Sequence, residues 1–597
     1  MLVQKTIPRI GLTLAHGHFK AREWVYVCAA KCHWPSGDLV TLRSPCLSEA
    51  LLPGANIGYD VMVFVGLERF LEHRQRGEIR ASAKQKYGVV LSEGEVSHLA
   101  VRFTEYLARL HRVRADRLKD ALAQDGGWPL HVDATGEAGR GTVLAVLAGW
   151  RKWVLGSWKI STERADLILP CLRQVVERFG PPCAIMRDMG KAMTPAVDTL
   201  VSELETAVPV LTCHQHFLSD VGKDLLEPSH AELRGLFRRH KVRPKLRELV
   251  RELGRELGSD IKDARDAVFE QLSQADSVPQ IPAGADGIAF IRGFAQWVLD
   301  YKADAKGLGF PFDRPYLDFH DPALKAAQAI DTFLANFPAD KKARRLLRRM
   351  QRYLKPVAAE VPFRQVTKRL RQRAALFDEL RDVLRAASTL QEIETAEDLD
   401  EMRDGLDVFE KALRERRPAR GPAQDIREAI DIILDHIETH GPNLFGHDIQ
   451  LPKTAGGGVR LVARTNNLSE NTFGTFKHGE RERTGFKNLG HVLETMPSEA
   501  LLVQNLLKDD YVAILCGAID KLPAAFAELD RKKRESRLQN EAPPSSENNP
   551  APILSTSALS REDRRVVRTK EMNRFINDAA NPKRRRSTPS AQNPTGS

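Results

Sequence analysis

The stretch that decides the fold begins at residue 129 and reads 129-PLHVDATG-136, 142-TVLAVLAG-149 and 152-KWVLGSWKIS-161. Each run is short, apolar or β-branched, and bounded by turn-forming residues, which predicts three successive strands. Beyond them the residue pattern alternates between the periods of helices and strands. We predict a helix at Ala165–Phe179, a strand at Cys183–Arg187, a helix at Lys191–Ala207 and a strand at Val208–Cys213.

Two acidic residues follow the first and the fourth of these strands. Asp133 precedes a Thr-Gly turn pair, and Asp188 comes directly after an apolar run. The order strand-strand-strand-helix-strand-helix-strand is that of an α/β, RNase H-like core, in which the first and fourth strands are neighbours. Neighbouring strands lie about 4.8 Å apart, so the predicted sheet brings Asp133 and Asp188 together.

A third acidic residue, Glu470, lies in a different setting. The polar residues before it cap a helix start, and Phe473, Phe476 and Lys477 then recur at helical spacing. Three converging carboxylates repel one another unless cations neutralise them, and hard oxygen ligands suit Mg²⁺. The expected site therefore holds two Mg²⁺ ions, with Mn²⁺ as a substitute, on Asp133, Asp188 and Glu470.

Composition limits the class of protein. The chain has 597 residues, which suggests roughly three to five structural units. Its net charge of +11 favours a polyanionic partner. No leader pattern appears at Met1–Lys20 and no run is apolar enough to span a bilayer, so we expect a cytoplasmic protein without membrane contact. Seven scattered cysteines argue against a disulfide framework.

The chain is expected to divide into six regions because its composition and periodicity change five times. These are a small ribbon at 1–57, a helix-turn-helix region at 58–120, the first part of the core at 121–226, an α-helical insertion at 227–455, the last part of the core at 456–530, and a disordered basic tail at 531–597 that contains Lys583–Arg586.

The helix-turn-helix prediction depends on a capping box formed by Ser92 and Glu95, after a short turn between two helical segments. Ser97, His98 and Arg102 are predicted to lie on the exposed side of the second helix and to reach DNA. The alternative is an ordinary helical hairpin in a protein interface.

Three groups of motifs carry a family resemblance: 131-HVDATGE-137; 187-RDMGKAM-193 followed by 213-CHQHFLSDVGKDLL-226; and 466-NNLSENTFGTFKHGERERTGFKNL-489. They resemble the DDE transposases of bacterial insertion sequences, particularly those of Mutator-like layout with a helical insertion before the final glutamate. The resemblance covers most of the chain. It implies an enzyme that binds the terminal inverted repeats and target DNA, as a homodimer or higher oligomer, and assigns the third acid to Glu470 over Glu480 or Glu482.

Cys213 and His216 match the Cys-x-x-His that follows the second aspartate in the family. Zinc usually needs about four ligands, and no second pair lies nearby, so we predict that they support the active site structurally. At the amino end, Cys28 and Cys32 depart from the zinc-ribbon spacing and the second pair is incomplete, which argues against Zn²⁺ there. His214 either contacts the scissile strand or packs internally.

Basic residues follow Glu470 and are predicted to contact DNA. Lys477 lies two helical turns further along, where its ammonium group would meet phosphate, and the others are Arg481, Arg483 and Lys487. The alternative is a solvated surface. Trp297 in the insertion either stacks on a base or packs in the core.

The expected function is therefore Mg²⁺-dependent DNA cleavage and strand transfer at element ends. Two alternatives remain: a metal nuclease of the same fold that cleaves without joining, and an inactive DNA-binding relic or regulator.

Overall fold

The computed structural model describes residues 1–257, 287–300, 307–336, 340–386, 395–421 and 423–540. The chain forms two compact units. The larger contains Met1–Ala30 and Thr41–Glu535. Among the described residues, the smaller contains Lys31–Val40 and Ser536–Asn540, and Arg537 Nη2 donates to Asp38 Oδ2 over 3.0 Å.

The N-terminal region is a three-stranded antiparallel sheet of order β1-β2-β3. Its strands are β1 at Leu2–Thr13, β2 at Gly17–Val27 and β3 at Thr41–Leu42. Within the ribbon expected at 1–57, the sequence has strand-like runs at 24–29 and 38–42, and the structure has longer strands that start earlier. The first strand escaped prediction because most of its residues are exposed and it lacks a run of buried apolar positions.

Five helices follow and continue into the core. They are α1 at Pro45–Ala50, α2 at Tyr59–Phe70, α3 at Arg76–Tyr87, α4 at Glu93–Val113 and α5 at Ala115–Gln124. The predicted capping box at Ser92 and Glu95 is confirmed. α4 buries Leu99, Phe103 and Leu107 in the same hydrophobic core as the central sheet, so the helices of this region are packed onto the sheet.

The central sheet has five strands in the order β6-β5-β4-β7-β8. The strands are β4 at Pro129–Glu137, β5 at Arg140–Ala148, β6 at Trp153–Lys159, β7 at Ala184–Arg187 and β8 at Val210–Thr212. β4 pairs antiparallel with β5 and parallel with β7. The predicted adjacency of the first and fourth strands is thus confirmed. The intervening helices are α6 at Ala165–Phe179 and α7 at Met193–Glu203.

A block of helices with its own hydrophobic core follows β8. Its members are α8 at His214–His240, α9 at Val242–Leu257, α10 at Gly287–Asp300, α11 at Pro315–Asn336, α12 at Lys341–Ala359, α13 at Val361–Val383, α14 at Ala396–Arg416 and α15 at Gln424–His440. α8 runs from the sheet into this block without a break at residue 227. Trp297 is 1% exposed, as its core-packing interpretation predicts.

The chain returns to the sheet through a short hairpin and a series of helices. These elements are β9 at Asp448–Gln450, β10 at Val459–Leu461, α16 at Asn467–Thr484, α17 at Gly490–Thr495, a 3-10 segment at Ser498–Leu507, α18 at Asp509–Leu515 and α19 at Leu522–Gln539. Residues 531–539, predicted to be disordered, are helical because α19 continues through them. The rest of the predicted tail, with Lys583–Arg586, lies outside the described residues.

No helix in the described part of the chain has the length and apolarity needed to cross a membrane.

Candidate active site

Asp133 and Asp188 lie at one end of two neighbouring parallel strands. His131 of β4 is level with Met186 of β7, and each aspartate comes two residues later in its own strand direction. Asp133 Oδ1 accepts the N–H of Ala134 over 2.8 Å, and Asp188 Oδ1 accepts the N–H of Gly190 over 3.0 Å. Both carboxylates are half-buried, so the sheet holds them close together and away from bulk solvent.

Asp133 shows the electrostatic consequence of this placement. Burial raises its pKa to about 7, and the charges of Asp188 and, more weakly, Glu470 add to the increase. The Ala134 N–H and His216 oppose it. The charges of both other predicted carboxylates therefore act on Asp133, although Glu470 is more than three hundred residues away in sequence.

Glu470 lies in the first turn of α16 and faces His216 near the start of α8. Its Oε1 is 3.6 Å from His216 Nε2. The pKa of His216 is raised to about 9 by the adjacent Cys213 side chain, while burial opposes this and Asp188 and Glu470 add to it. A protonated imidazole here places a positive charge beside Glu470 and close enough to Asp188 for the two charges to interact.

Asn466 connects the elements that carry the acids, and sequence reasoning treated it only as a capping residue. It is fully buried. Its Nδ2 donates to Val132 O over 3.1 Å, and its Oδ1 accepts from Ser469 Oγ over 3.0 Å and lies 3.2 Å from His131 Nδ1. These bonds attach the start of α16 to His131 and Val132, the two residues of β4 that precede Asp133.

Cys213 completes this connection from the other side. It is fully buried at the end of β8, and its Sγ accepts the backbone N–H of Asn466 over 3.2 Å. Its own N–H donates to Arg187 O, one residue before Asp188. The Cys-x-x-His segment thus touches the supports of both Asp188 and Glu470, which favours the predicted structural role.

His214 is internal. Its Nε2 is 2.6 Å from Leu444 O, and its Nδ1 is 3.1 Å from Arg464 Nη1. Burial lowers its pKa to about 4, so the ring is neutral. Contact with a DNA strand, one of its two predicted roles, does not fit a fully buried side chain.

Lys477 reaches β4 beside Asp133. Its Nζ donates to Thr135 Oγ1 over 2.6 Å, and Thr135 lies on the same side of the strand as Asp133 because side chains alternate. Burial lowers the pKa of Lys477, while Glu137 opposes that change. Glu137 also accepts from Arg481 and from the N–H of Leu489.

Glu480 is occupied by a different task. It is fully buried, and its carboxylate pairs with Arg69 at 2.6 Å, Arg483 at 2.7 Å and His73 at 3.3 Å. Burial alone would raise its pKa, but hydrogen bonds from these three residues hold the pKa below its usual range. Glu480 therefore ties α2 to α16. Arg483, predicted to contact DNA, is engaged in this cluster.

The other predicted DNA contacts differ in exposure. Lys487 and His98 are exposed. Ser97 is half-buried, donates to Glu93 O and accepts from Arg76 Nη1, and Arg102 lies 5.8 Å from the ring centroid of Tyr106. Ser97 and Arg102 therefore each contact another group of the protein, and their role in binding DNA stays a prediction.

One further carboxyl approaches the site. Glu163, in the loop before α6, has its pKa raised by burial and by the charge of Asp188. It follows a Ser-Thr pair in a loop, and no local pattern distinguished it in the sequence.

The three carboxylates are hard oxygen donors of the kind that bind divalent cations. Within the described ranges, no three His, Cys, Asp or Glu side chains are gathered closely enough to hold a metal ion as they stand. Even so, burial and then the charge of Asp188 raise the pKa of Asp133, and a divalent cation nearby would favour the charged form of this hard oxygen donor. By donor chemistry the residues fit such an ion.

Neither the scan against protein-family models nor the search of curated proteins finds a match for this chain.

Proposed function

We propose that the chain is a DNA transposase of the DDE type, with an RNase H-like core that cleaves DNA at the ends of an element and joins them to target DNA. One observation carries the proposal. Asp133 and Asp188, on neighbouring parallel strands, and Glu470, at the start of a helix, form one electrostatically coupled set. Three carboxylates that interact in this way suit metal-dependent phosphoryl transfer, once a bound cation draws them together.

Asp133, Asp188 and Glu470 would hold the cations, most naturally Mg²⁺, with Mn²⁺ as a substitute. Bound divalent ions supply activation of the attacking oxygen and stabilisation of the leaving oxygen in phosphodiester chemistry. The Cys213 and Asn466 contacts keep α16 against β4, so Glu470 is presented at the carboxylate end of the sheet.

The cations of α16 would meet the substrate. Lys477 donates to Thr135, which lies two residues along β4 from Asp133, and an ammonium group there would attract a phosphate beside the carboxylates. Double-stranded DNA is therefore the proposed partner, in a homodimer or higher oligomer that presents both ends.

A strand-transfer assay tests the proposal. Purified full-length protein is incubated with Mg²⁺, target plasmid and duplexes that carry the ends of the DNA flanking its gene. Joined products support the transposase. Cut but unjoined products replace it with the nuclease alternative, and DNA retention without cutting in Mg²⁺ or Mn²⁺ replaces it with the relic or regulator alternative.

A further inference from the structure

The β1–β2 hairpin carries a solvent-facing surface of unusual composition. Along β2 every second residue is exposed, and these residues are His18, Lys20, Arg22 and Trp24. Trp24 is 58% exposed, which is uncommon for the largest apolar side chain. Of the intervening positions, Phe19 and Ala21 are half-buried and Glu23 and Val25 are buried, so β2 has a more protected side and an open side.

The facing residues of β1 extend the same surface. Ile10 pairs with Lys20, Pro8 with Arg22 and Thr6 with Trp24, and residues directly opposite in an antiparallel pair project to the same side. Ile10 is 53% exposed. We call the surface formed by Thr6, Pro8, Ile10, His18, Lys20, Arg22 and Trp24 the ribbon face.

All but one of the charged residues in the hairpin are basic. From Leu2 to Val27 it contains Lys5, Arg9, Lys20 and Arg22 but a single carboxylate, Glu23. Glu23 is buried on the opposite side, where it pairs with Arg43 at 2.6 Å. Lys20 and Arg22 form no ion pair with any residue in the described part of the chain.

We infer that the ribbon face is a docking surface for duplex DNA. Lys20 and Arg22 are two strand positions apart, about 7 Å, so both can meet phosphates of one backbone. A two-stranded ribbon also has the width that the major groove admits. Trp24 and Ile10 lie beside the cations and lose solvent when a groove wall or sugar covers them.

Charge decides between DNA and a protein partner. The ribbon face has no carboxylate, so it could not pair with the basic residues of a protein partner. A polyanion, by contrast, carries the opposite charge along its whole length. This inference rests on the proposed function for its choice of DNA among polyanions. It also moves DNA docking from Ser97 and Arg102, which are partly occupied by protein contacts, to an open surface.

Binding of a fluorescein-labelled duplex to the full-length protein, measured by anisotropy over a salt series, tests the inference. The double variant Lys20→Gln, Arg22→Gln should bind on the order of tenfold more weakly, and its slope of log affinity against log salt should fall by about 1.8, or about 0.9 for each lost phosphate contact. Trp24→Ala should weaken binding several-fold with an unchanged slope, and Trp24→Phe should retain most of the affinity.

A matched control removes the same charges elsewhere. Arg531→Gln, Lys532→Gln deletes one arginine and one lysine from exposed surface pairs with Glu535 and Glu528, so net charge falls equally. If both double variants lose the same affinity and slope, net charge explains the effect and the ribbon face is not a docking surface. Weaker binding to anionic vesicles but unchanged duplex binding would likewise overturn it in favour of a membrane.

Cleavage and joining are recorded in parallel to separate the two proposals. If the Lys20→Gln, Arg22→Gln variant loses duplex binding and the wild-type protein neither cuts nor joins DNA, the docking surface is supported and the transposase is contradicted. Normal joining and unchanged duplex binding by the ribbon variant supports the transposase and contradicts the docking surface. A wild-type chain that binds no duplex contradicts both.

Discussion

Two glutamates on one helix show how surroundings assign a role. Glu470 and Glu480 both lie on α16. Glu470 is 39% exposed at its side chain and acts on Asp133 by like-charge repulsion. Glu480 has no exposure and is surrounded by Arg69, His73 and Arg483. The carboxylate of Glu470, at the start of the helix, is therefore available to a ligand. The carboxylate of Glu480, near the end of the helix, is neutralised by its partners.

The difference matters for identifying the third acid. A buried carboxylate with three cationic partners is costly to remove because the partners then lack compensation. A half-exposed carboxylate beside two aspartates gains instead from an added cation. The comparison assigns a structural role to Glu480, and Glu470 is the residue that we propose for the chemistry.

The largest expected effect is on activity at the Glu470 end. Glu470→Gln should reduce cleavage and joining by about 10³-fold or more, equivalent to about 4 kcal/mol of transition-state stabilisation, because the amide retains the shape but loses the charge. Thermal stability and duplex binding should remain near wild type. Asp133→Asn and Asp188→Asn should behave alike in the same assays.

Glu482→Gln is the control for that change, since Glu482 is exposed on the same helix and pairs with the exposed His478. It should be active. Cleavage at wild-type rate by the Glu470→Gln protein would remove Glu470 from the set of catalytic acids.

The next effect is on stability at the Glu480 end. Glu480→Gln should lower the free energy of unfolding by about 3 kcal/mol, because Arg69 and Arg483 stay partly buried without a full countercharge. Chemical denaturation would measure it, with Glu482→Gln again expected within about 0.5 kcal/mol of wild type. A Glu480→Gln protein of normal stability that has lost cleavage would reverse the assignments of the two glutamates.

Sequence and structure agree best where local pattern is strong. The apolar runs of β4, β5 and β6 fill both faces of a covered sheet, so their strand character was readable. Capping by Ser92 and Glu95 is a local interaction and was readable too. β1 was missed because its exposed residues resemble a loop.

The supports of the site were not readable because they are long-range. Glu480 meets Arg69 across 411 positions and Asn466 meets Val132 across 334. Motif spacing favoured Glu470 over Glu480, but nothing local indicated why Glu480 is unavailable. Likewise, the polar residues before Glu470 predicted the start of α16 correctly, but nothing local indicated that Asn466 is a buried link to β4 and to Cys213 at the end of β8.

Asn466 provides a smaller effect that sharpens the comparison. Asn466→Ala should cost about 2 kcal/mol of stability, because buried donors and acceptors lose their partners. It should also raise the Mg²⁺ concentration that gives half-maximal cleavage, since α16 then presents Glu470 less rigidly. The metal titration is the readout that a purely structural role leaves unchanged.

Asn505 offers a matched control for Asn466. It is 1% exposed, and its amide bonds both the N–H and the carbonyl of Val154, at 2.7 and 2.8 Å. Asn505→Ala should lose similar stability with an unchanged Mg²⁺ requirement. Equal shifts of the Mg²⁺ requirement in both variants would show that Asn466 acts only through general stability.

The smallest effect is on the pH dependence of stability, and it has opposite signs at the two ends of α16. The pKa of Asp133 is raised from 3.8 to about 7, so its contribution to stability is present below about pH 4 and is lost as the pH rises through 7. The pKa of Glu480 is lowered, so its contribution to stability is present above the ordinary glutamate pKa and is lost as the pH falls.

In metal-free buffer, the free energy of unfolding of Asp133→Asn should therefore rise relative to that of wild type by about 1–2 kcal/mol between pH 5 and pH 8, a figure reduced for partial exposure. Asp120→Asn, at an exposed site on α5, should not. Adding Mg²⁺ at pH 8 should stabilise wild type more than Asp133→Asn, because the ion compensates the negative charge that Asp133 carries beside Asp188 and Glu470. Parallel stability curves for wild type and Asp133→Asn across this range would show that the three carboxylates are not coupled.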